Sequence, residues 1–315
     1  MSSAALSMPA MHVPFPATRH PDLERIETDA MTWAAERLDP VSLDRVKKTL
    51  VGTYVAYTAS PDCARPLLDA YAHFLVWGFW FDDLFVDDVE PDAPEHTAAI
   101  ASVLAVLDTR HGCGSATEGI ERALTEVMDE LEAVLTSSQM VRWRQEMHIW
   151  FCAMAFQNAM RKQTPTVEGY KALRRCSVAI YPCLPLVEAS HSARMPSSDP
   201  YHPTIEELRV HCANQVAWAN DVFSYHLEQG HPGGFWNLPT VYQAHGLTAQ
   251  GAINQAAADA NAEALAFARK QTAIRRQLTP AQQLCIDAMQ SCMRGVLDWQ
   301  TMATDRYTGW TSPAQ

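Results

Sequence analysis

Apolar residues recur at helical spacing from Pro21 onward, and alternating β-branched runs closed by Asn-Gly or Asp-Gly are missing. The pattern predicts an all-α chain. Ser42 opens SLDRVKKTL, Thr204 with Glu207 reads as a capping box before LRVHCANQVAWANDV, and Thr279-Pro280 with Gln282 begins another long segment. Thr164-Pro165 starts a helix containing GYKALRRCSVAIYPCLPLVEAS, which Pro182 and Pro185 are expected to kink or break. Breaks at Asp39-Pro40, Glu90 to Pro94, His111 to Ser115, His191 to Pro203 and Gly230 to Gly234 leave about ten helical segments. None is a long polar linker, and no repeat recurs at a fixed period. The expected organisation is one domain over residues 21–308, preceded by a partly flexible arm at 1–20 and followed by a tail at 309–315.

Composition adds a large interior to this picture. Of the 315 residues, 48% are hydrophobic and only 19% charged, with 9 Trp, 9 Tyr and 10 Phe. Such a chain is folded and has surface to spare for lining a cavity. The 36 acidic against 24 basic residues give a net charge of -12, which argues against nucleic acid and anionic membranes as partners. Eight cysteines without a CxxC pair read as buried free thiols in a reducing compartment. No basic-then-apolar leader opens the sequence, and no apolar run reaches the ~18 residues of a membrane span, so a cytoplasmic location is expected.

Two segments carry candidate chemistry. In YAHFLVWGFWFDDLFVDD, about a dozen apolar residues end in Asp82, Asp83, Asp87 and Asp88. At roughly 100° per residue, Asp83 and Asp87 would lie about 40° apart on one face. A helix so apolar is buried on most sides, so its acidic end would open at a cavity mouth. Crowded carboxylates there repel one another, and a divalent cation relieves that; hard oxygen donors suit Mg²⁺. The alternative is a solvated acidic cap running on into Val89-Glu90-Pro91-Asp92. In ANQVAWANDVFSYHLEQ, Asn220, Ser224 and Glu228 recur every four residues and share a face within an arc of roughly 80°. An amide oxygen, a hydroxyl and a carboxylate could seat one Mg²⁺; the alternative is a polar stripe on an amphipathic helix.

With both motifs present, the chain resembles the bacterial class I terpene synthases. DDLFVDD resembles their aspartate-rich motif, and NDVFSYHLE fits (N/D)Dxx(S/T)xxxE at every defined position. The separation of the motifs, the PFPATRHPDLE lead-in, GYKALRR, GFWNLPTVYQAHGLT and Arg306-Tyr307 extend the likeness over nearly the whole chain.

The resemblance implies a single-domain helical bundle around a deep apolar cavity with three Mg²⁺ at its mouth. It further implies an isoprenyl diphosphate substrate that is ionised and cyclised to a terpene hydrocarbon or alcohol, with release of diphosphate. Asp82 and Asp87 would bind metal, as would Asn220, Ser224 and Glu228. Asp83 would pair with Arg306. Arg174, Arg306 and Tyr307 would contact diphosphate; taken alone, Arg174 reads as a surface charge beside Arg175 and Lys171.

Phe79, Trp150, Phe156, Trp218 and Trp299 are candidates for lining a carbocation chamber, where ring faces stabilise cations without bonding to them. Phe79 and Trp299 are also substrate-binding candidates. Each is equally at home in plain core packing.

Four features depart from the family, among them Ser177 and Val178 where relatives often carry a more flexible residue with an exposed carbonyl. The first motif reads DDxxxDD, Leu227 stands where relatives often carry a diphosphate-binding Lys, and Trp299 precedes Arg306 by seven residues. Arg175 is one candidate to supply the missing contact. Farnesyl diphosphate is the expected substrate. Gly78, one turn before Asp82, leaves space for geranylgeranyl diphosphate as the alternative. A chain-elongating prenyl diphosphate synthase and a non-catalytic all-α binding protein are the remaining readings. A homodimer is a common form of such folds.

Overall fold

The computed structural model describes residues 6–113, 117–195, 203–307 and 309–310. Among them no β-strand forms. The helices in chain order are α1 (Leu23–Ala35), α2 (Pro40–Thr49), α3 (Val51–Thr58), α4 (Arg65–Asp82), α5 (Pro94–Thr109), α6 (Glu118–Val134) and α7 (Ser137–Met160). They continue as α8 (Val167–Ser177), α9 (Ile180–Ser190), α10 (Pro203–Phe223), α11 (Tyr225–Glu228), α12 (Leu238–Ala244), α13 (Ala249–Ile274) and α14 (Pro280–Asp298). A π-helical turn, π1 (Asp83–Asp87), follows α4, and a second, π2 (Trp299–Ala303), follows α14.

Local chemistry accounts for most boundaries. Thr279 caps α14 in a reciprocal box with Gln282, and Thr136 caps α7 with Gln139 in the same way. Three expected starts shift. Asp39, rather than Ser42, caps α2 by accepting from the amides of Val41 and Ser42, with Pro40 in the first turn. The cap of α8 is Thr166, which accepts from Gly169 N. Because α10 already begins at Pro203, Thr204 lies in its first turn. The rest of the expected break at 191–203, residues 196–202, is outside the described residues, as is 114–116 within the break after His111.

The GYKALRR segment breaks at Val178-Ala179, ahead of both prolines. Ala179 adopts a left-handed backbone (φ 64°), and Pro182 follows within the first turn of α9, where a missing N–H costs nothing. Leu50 (φ 55°) divides α2 from α3 without a Gly or Pro to announce it.

Helix α4 is buried on most sides by α1, α3, α6 and α9, with Leu68, Tyr71, Phe74, Trp77 and Phe81 almost wholly enclosed. Helix α14 presses so closely on α3 that a Cβ on Gly295 would sit 2.2 Å from Tyr57 O, so only glycine fits. Between α4, α7, α8, α9, α10 and α14 lies a cavity.

The described part of the lead-in is docked. Val13 and Phe15 are buried, His12 N–H donates to Asn261, and Ser7 bonds Gln250 on α13. Trp310 likewise docks, its indole donating to Phe223 O. Residues 1–5 of the arm and 311–315 of the tail lie outside the described residues. All eight cysteines are free, but Cys113 and Cys152 are exposed rather than buried, because they stand in a loop and on the outer face of α7. No described helix is long and apolar enough to cross a membrane.

Candidate active site

One wall of the cavity mouth is the end of α4 and the π1 turn. In an α-helix Asp82 and Asp87 would lie about 140° apart. The i→i+5 bonding of a π-turn instead stacks residues five apart, which brings Asp87 round to the side of Asp82. Both line the cavity. Asp83 points away from it and accepts from Arg306 Nη2 at 2.7 Å; the same nitrogen is 3.4 Å from Asp87 Oδ2. Asp88 turns outward to Arg45, so only part of the acidic run faces the cavity.

Asp82 has no hydrogen bond or ion pair to any described residue. Burial, and next the charge of Asp87, push its carboxyl up to about 7. Asp87 is raised to about 6 by burial, against the pull of Arg306.

The opposite wall comes from α10 and α11. Ser224 N–H donates to Asn220 O and Glu228 N–H to Ser224 O, so helical spacing persists through the junction and the three side chains share a face. Asn220 is doubly engaged: Oδ1 accepts from Arg174 Nη2 at 2.8 Å, and Nδ2 donates to the Tyr307 hydroxyl at 2.8 Å. Ser224 Oγ donates to Asn220 O, which leaves its lone pairs free. Glu228 Oε2 accepts from Asn237. Burial first, opposed by Arg174, sets the Glu228 carboxyl at about 8.

These oxygens fit a hard divalent cation. The donors are carboxylate, amide and hydroxyl oxygens only, and Asp82 is a cavity-facing carboxylate with no partner among the described residues. Among the described residues no three His, Cys, Asp or Glu side chains gather tightly enough to hold an ion by themselves. The donors are instead split across two walls, with an amide and a hydroxyl in the set.

Arg174 and Arg306 are both held ready. Burial opposes the charge of each most strongly, yet Asp221, Tyr170 and Glu228 around Arg174, and Asp83, Asp87 and Tyr307 around Arg306, together outweigh it, so both stay protonated. Arg174 Nε lies 2.7 Å from Asp221 Oδ1, and Asp221 also accepts from the Tyr170 hydroxyl and Leu238 N–H. Burial lifts the Tyr307 hydroxyl to about 12, so it remains a donor.

Below the mouth the lining turns apolar. Phe79, Trp150 and Trp299 line it; the Trp299 indole donates to Thr49 O and its ring meets Tyr54, Phe79 and Tyr307. The seven-residue step from Trp299 to Arg306 is absorbed by π2, in which Thr304 N–H reaches back to Trp299 O.

Two expected aromatics are elsewhere. Phe156 is 67% exposed, on the far side of α7 from Met154 and Gln157. Trp218 packs in a second core beneath Lys171, since two residues along α10 is roughly 200° from Val216 and Asn220. Gly78 lines the cavity, with the Trp150 ring 3.7 Å from where a Cβ would be. Arg175 leans towards Asn214 and does not line the cavity.

Sequence reasoning missed Asp221, Tyr170, Arg161, His231 and Trp236. Asp221 was signalled by its own place in NDVFSYHLE; Arg161, beside Lys162 at a helix end, resembles any solvated charge pair.

Residues 73–264 match the family described as terpene synthase family 2, C-terminal metal binding. A sesquiterpene synthase of Metarhizium guizhouense is 30% identical over 96% of this chain and 88% of its own length. The (+)-corvol ether B/(+)-corvol ether A synthase of Kitasatospora setae, a (2E,6E)-farnesyl diphosphate cyclizing enzyme, is 28% identical over 95% of each chain. The crystal structure of 2-methylisoborneol synthase from Streptomyces coelicolor A3(2), with Mg²⁺ and 2-fluoroneryl diphosphate, shares the fold at a TM-score of 0.85 and 20% identity, covering 97% of this chain and 98% of that one. From the helical bundle, the two-walled cavity mouth and these likenesses together, the chain belongs to the class I terpene synthase family.

Proposed function

We propose that this terpene synthase ionises farnesyl diphosphate in a Mg²⁺-dependent reaction and cyclises the resulting carbocation, releasing diphosphate. The observation that carries the reading is a single cavity with hard oxygen donors and guanidinium groups at its mouth and aromatic faces below. Asp82 and Asp87 on one wall, and Asn220, Ser224 and Glu228 on the other, would hold the metal, three ions by the family resemblance. When bound, Mg²⁺ supplies positive charge that stabilises the leaving diphosphate.

Arg174, Arg306 and Tyr307 donate hydrogen bonds to the diphosphate as its negative charge grows on C–O cleavage. Asp83 positions Arg306 for that contact. Asn220 Oδ1 is engaged by Arg174, so a cation that claims this oxygen frees a guanidinium nitrogen for the anion. The apolar wall excludes water, which would quench the cation, and Phe79, Trp150 and Trp299 offer ring faces to it.

Relatives named for cyclizing farnesyl diphosphate favour the C15 substrate over geranylgeranyl diphosphate. A chain-elongating synthase would need a second aspartate-rich wall, where Asn220, Ser224 and Glu228 stand instead. Incubation with C10, C15 and C20 diphosphates and Mg²⁺, without isopentenyl diphosphate, tests the reading by mass spectrometry of products and assay of diphosphate. Farnesyl diphosphate should give cyclic product; diphosphate release from none of the three would overturn it.

A further inference from the structure

Three guanidinium groups line the cavity, those of Arg161, Arg174 and Arg306. Asp221 neutralises Arg174, and Asp83 with Asp87 neutralises Arg306. Arg161 differs. It is 5% exposed, yet no described carboxylate reaches it within ion-pair distance. Nη1 donates to Asn158 Oδ1 at 3.0 Å, and Nε has no hydrogen-bond partner among the described residues. Burial lowers its pKa only to about 10, because Asp87, Asp82 and Glu228 act on it from both walls, so it is charged at neutral pH. A buried charge without a counter-ion is costly, and proteins retain one where a ligand completes it.

The surroundings keep this cation from withdrawing to solvent. Its guanidinium lies over the Trp236 ring, and Trp236 is fixed by an indole bond to Pro232 O and an edge contact with His231. Asn158 is in turn anchored by donating to Pro91 O. The intervening loop packs on the backbone of Arg161: Gly234 N–H donates to Arg161 O at 3.2 Å. Gly233, at φ +82°, lies so close that a Cβ would be 2.7 Å from Pro91 Cγ and 3.4 Å from Arg161 Cβ. A turn of this form at this proximity admits glycine alone. Elsewhere on the rim, Leu227 offers no charge.

We propose that Arg161 is a diphosphate-binding residue, the one guanidinium among the described cavity residues that meets the substrate's anionic head without first surrendering a carboxylate. The inference rests on the diphosphate reading above. Because the head group is already anionic before ionisation, the contact belongs to ground-state binding. Its loss should raise KM more than it lowers kcat.

The test compares wild type with Arg161→Gln and Arg161→Lys, using calorimetry of inorganic diphosphate at saturating Mg²⁺, Mg²⁺ titration alone, thermal melting and steady-state kinetics. Arg161→Gln should weaken inorganic diphosphate about 10- to 100-fold and raise KM comparably, with kcat reduced less than about tenfold. Arg161→Lys should recover most of that binding, and it keeps the test available if the Gln variant melts early. Mg²⁺ binding without diphosphate should be unchanged or tighter in Arg161→Gln, since a positive charge has left the acidic mouth. Unchanged diphosphate binding in Arg161→Gln, with only Mg²⁺ affinity or melting altered, would reduce Arg161 to a counter-ion and overturn the proposal. A wild type that neither binds diphosphate nor turns over would instead overturn the functional reading, and this inference with it.

Discussion

Helix α10 carries a buried charge cluster at each end, and the two are built on opposite principles. Near its start, Arg209 is enclosed by Glu146, Glu188 and Glu206, and Arg142 pairs with Glu188 at 2.7 Å. Positive and negative groups face one another across α7, α9 and α10. Near its end, Asn220, Ser224 and Glu228 face Asp82 and Asp87 across open space, with like charges on both sides and Asp82 without a partner. The first cluster is complete without a ligand. The second is under electrostatic strain without one, which distinguishes a structural charge cluster from a binding site.

The contrast can be broken most sharply at the strained end. Asp82→Ala or Asn220→Ala should cut turnover at least about 10⁴-fold while melting stays near wild type. Near-normal turnover in either variant would remove that residue from the metal site. At the complete end the effects should exchange. Glu188→Ala takes from Arg142 its 2.7 Å ion-pair partner and from Arg209 one of three, and should cost about 3–5 kcal/mol of stability in urea unfolding, while whatever protein remains folded keeps its KM.

A gentler test uses pH. With Asp82 near 7, Asp87 near 6 and Glu228 near 8, raising pH from 6 to 8 ionises the mouth. Mg²⁺ should then bind at least about tenfold tighter and release protons, read as calorimetric heats that vary with buffer ionisation enthalpy. Stability without metal should move the other way. These carboxyls bind protons more tightly folded than unfolded, so their contribution is present below the ordinary carboxylate range and is lost as pH rises through about 6 to 8. Asp82→Asn should therefore raise metal-free melting at pH 8 by about 2 °C or more.

The smallest effect belongs to the chamber wall. Trp299→Phe and Phe79→Leu should each change the barrier by about 0.5–2 kcal/mol, seen as altered product ratios by mass spectrometry with diphosphate release largely kept.

Much of this arrangement is legible in the sequence because it depends on local repetition. The i, i+4, i+8 spacing of Asn220, Ser224 and Glu228 survives folding unchanged, and the apolar run of α4 announces its own burial. The illegible parts depend on departures from the regular helix or on contacts between distant segments. The π1 turn moves Asp87 relative to Asp82, and regular 100° arithmetic predicts a different face for it. The left-handed Ala179 takes the break that Pro182 and Pro185 would have suggested, and the left-handed Leu50 makes one that no residue type announces. Arg161 acquires its unpaired state only when Asn158, Pro91 and the Gly233 turn assemble round it from three stretches of chain.

The docked lead-in has a consequence for the order in which the molecule is made. Phe15 packs on Phe267 and its carbonyl accepts from Arg294, while Thr49 accepts from Trp299. At synthesis rates of about 5–20 residues per second, this segment waits roughly 10–50 s for the helices it rests on. Arg306 lies 223 residues after Asp83, with which it pairs, and at the same rates it emerges roughly 11–45 s later. A nascent chain thus holds Asp82 and Asp87 well before Trp299, Arg306 and Tyr307, so the acidic wall waits for both the rest of the chamber and the groups proposed to grip a leaving group.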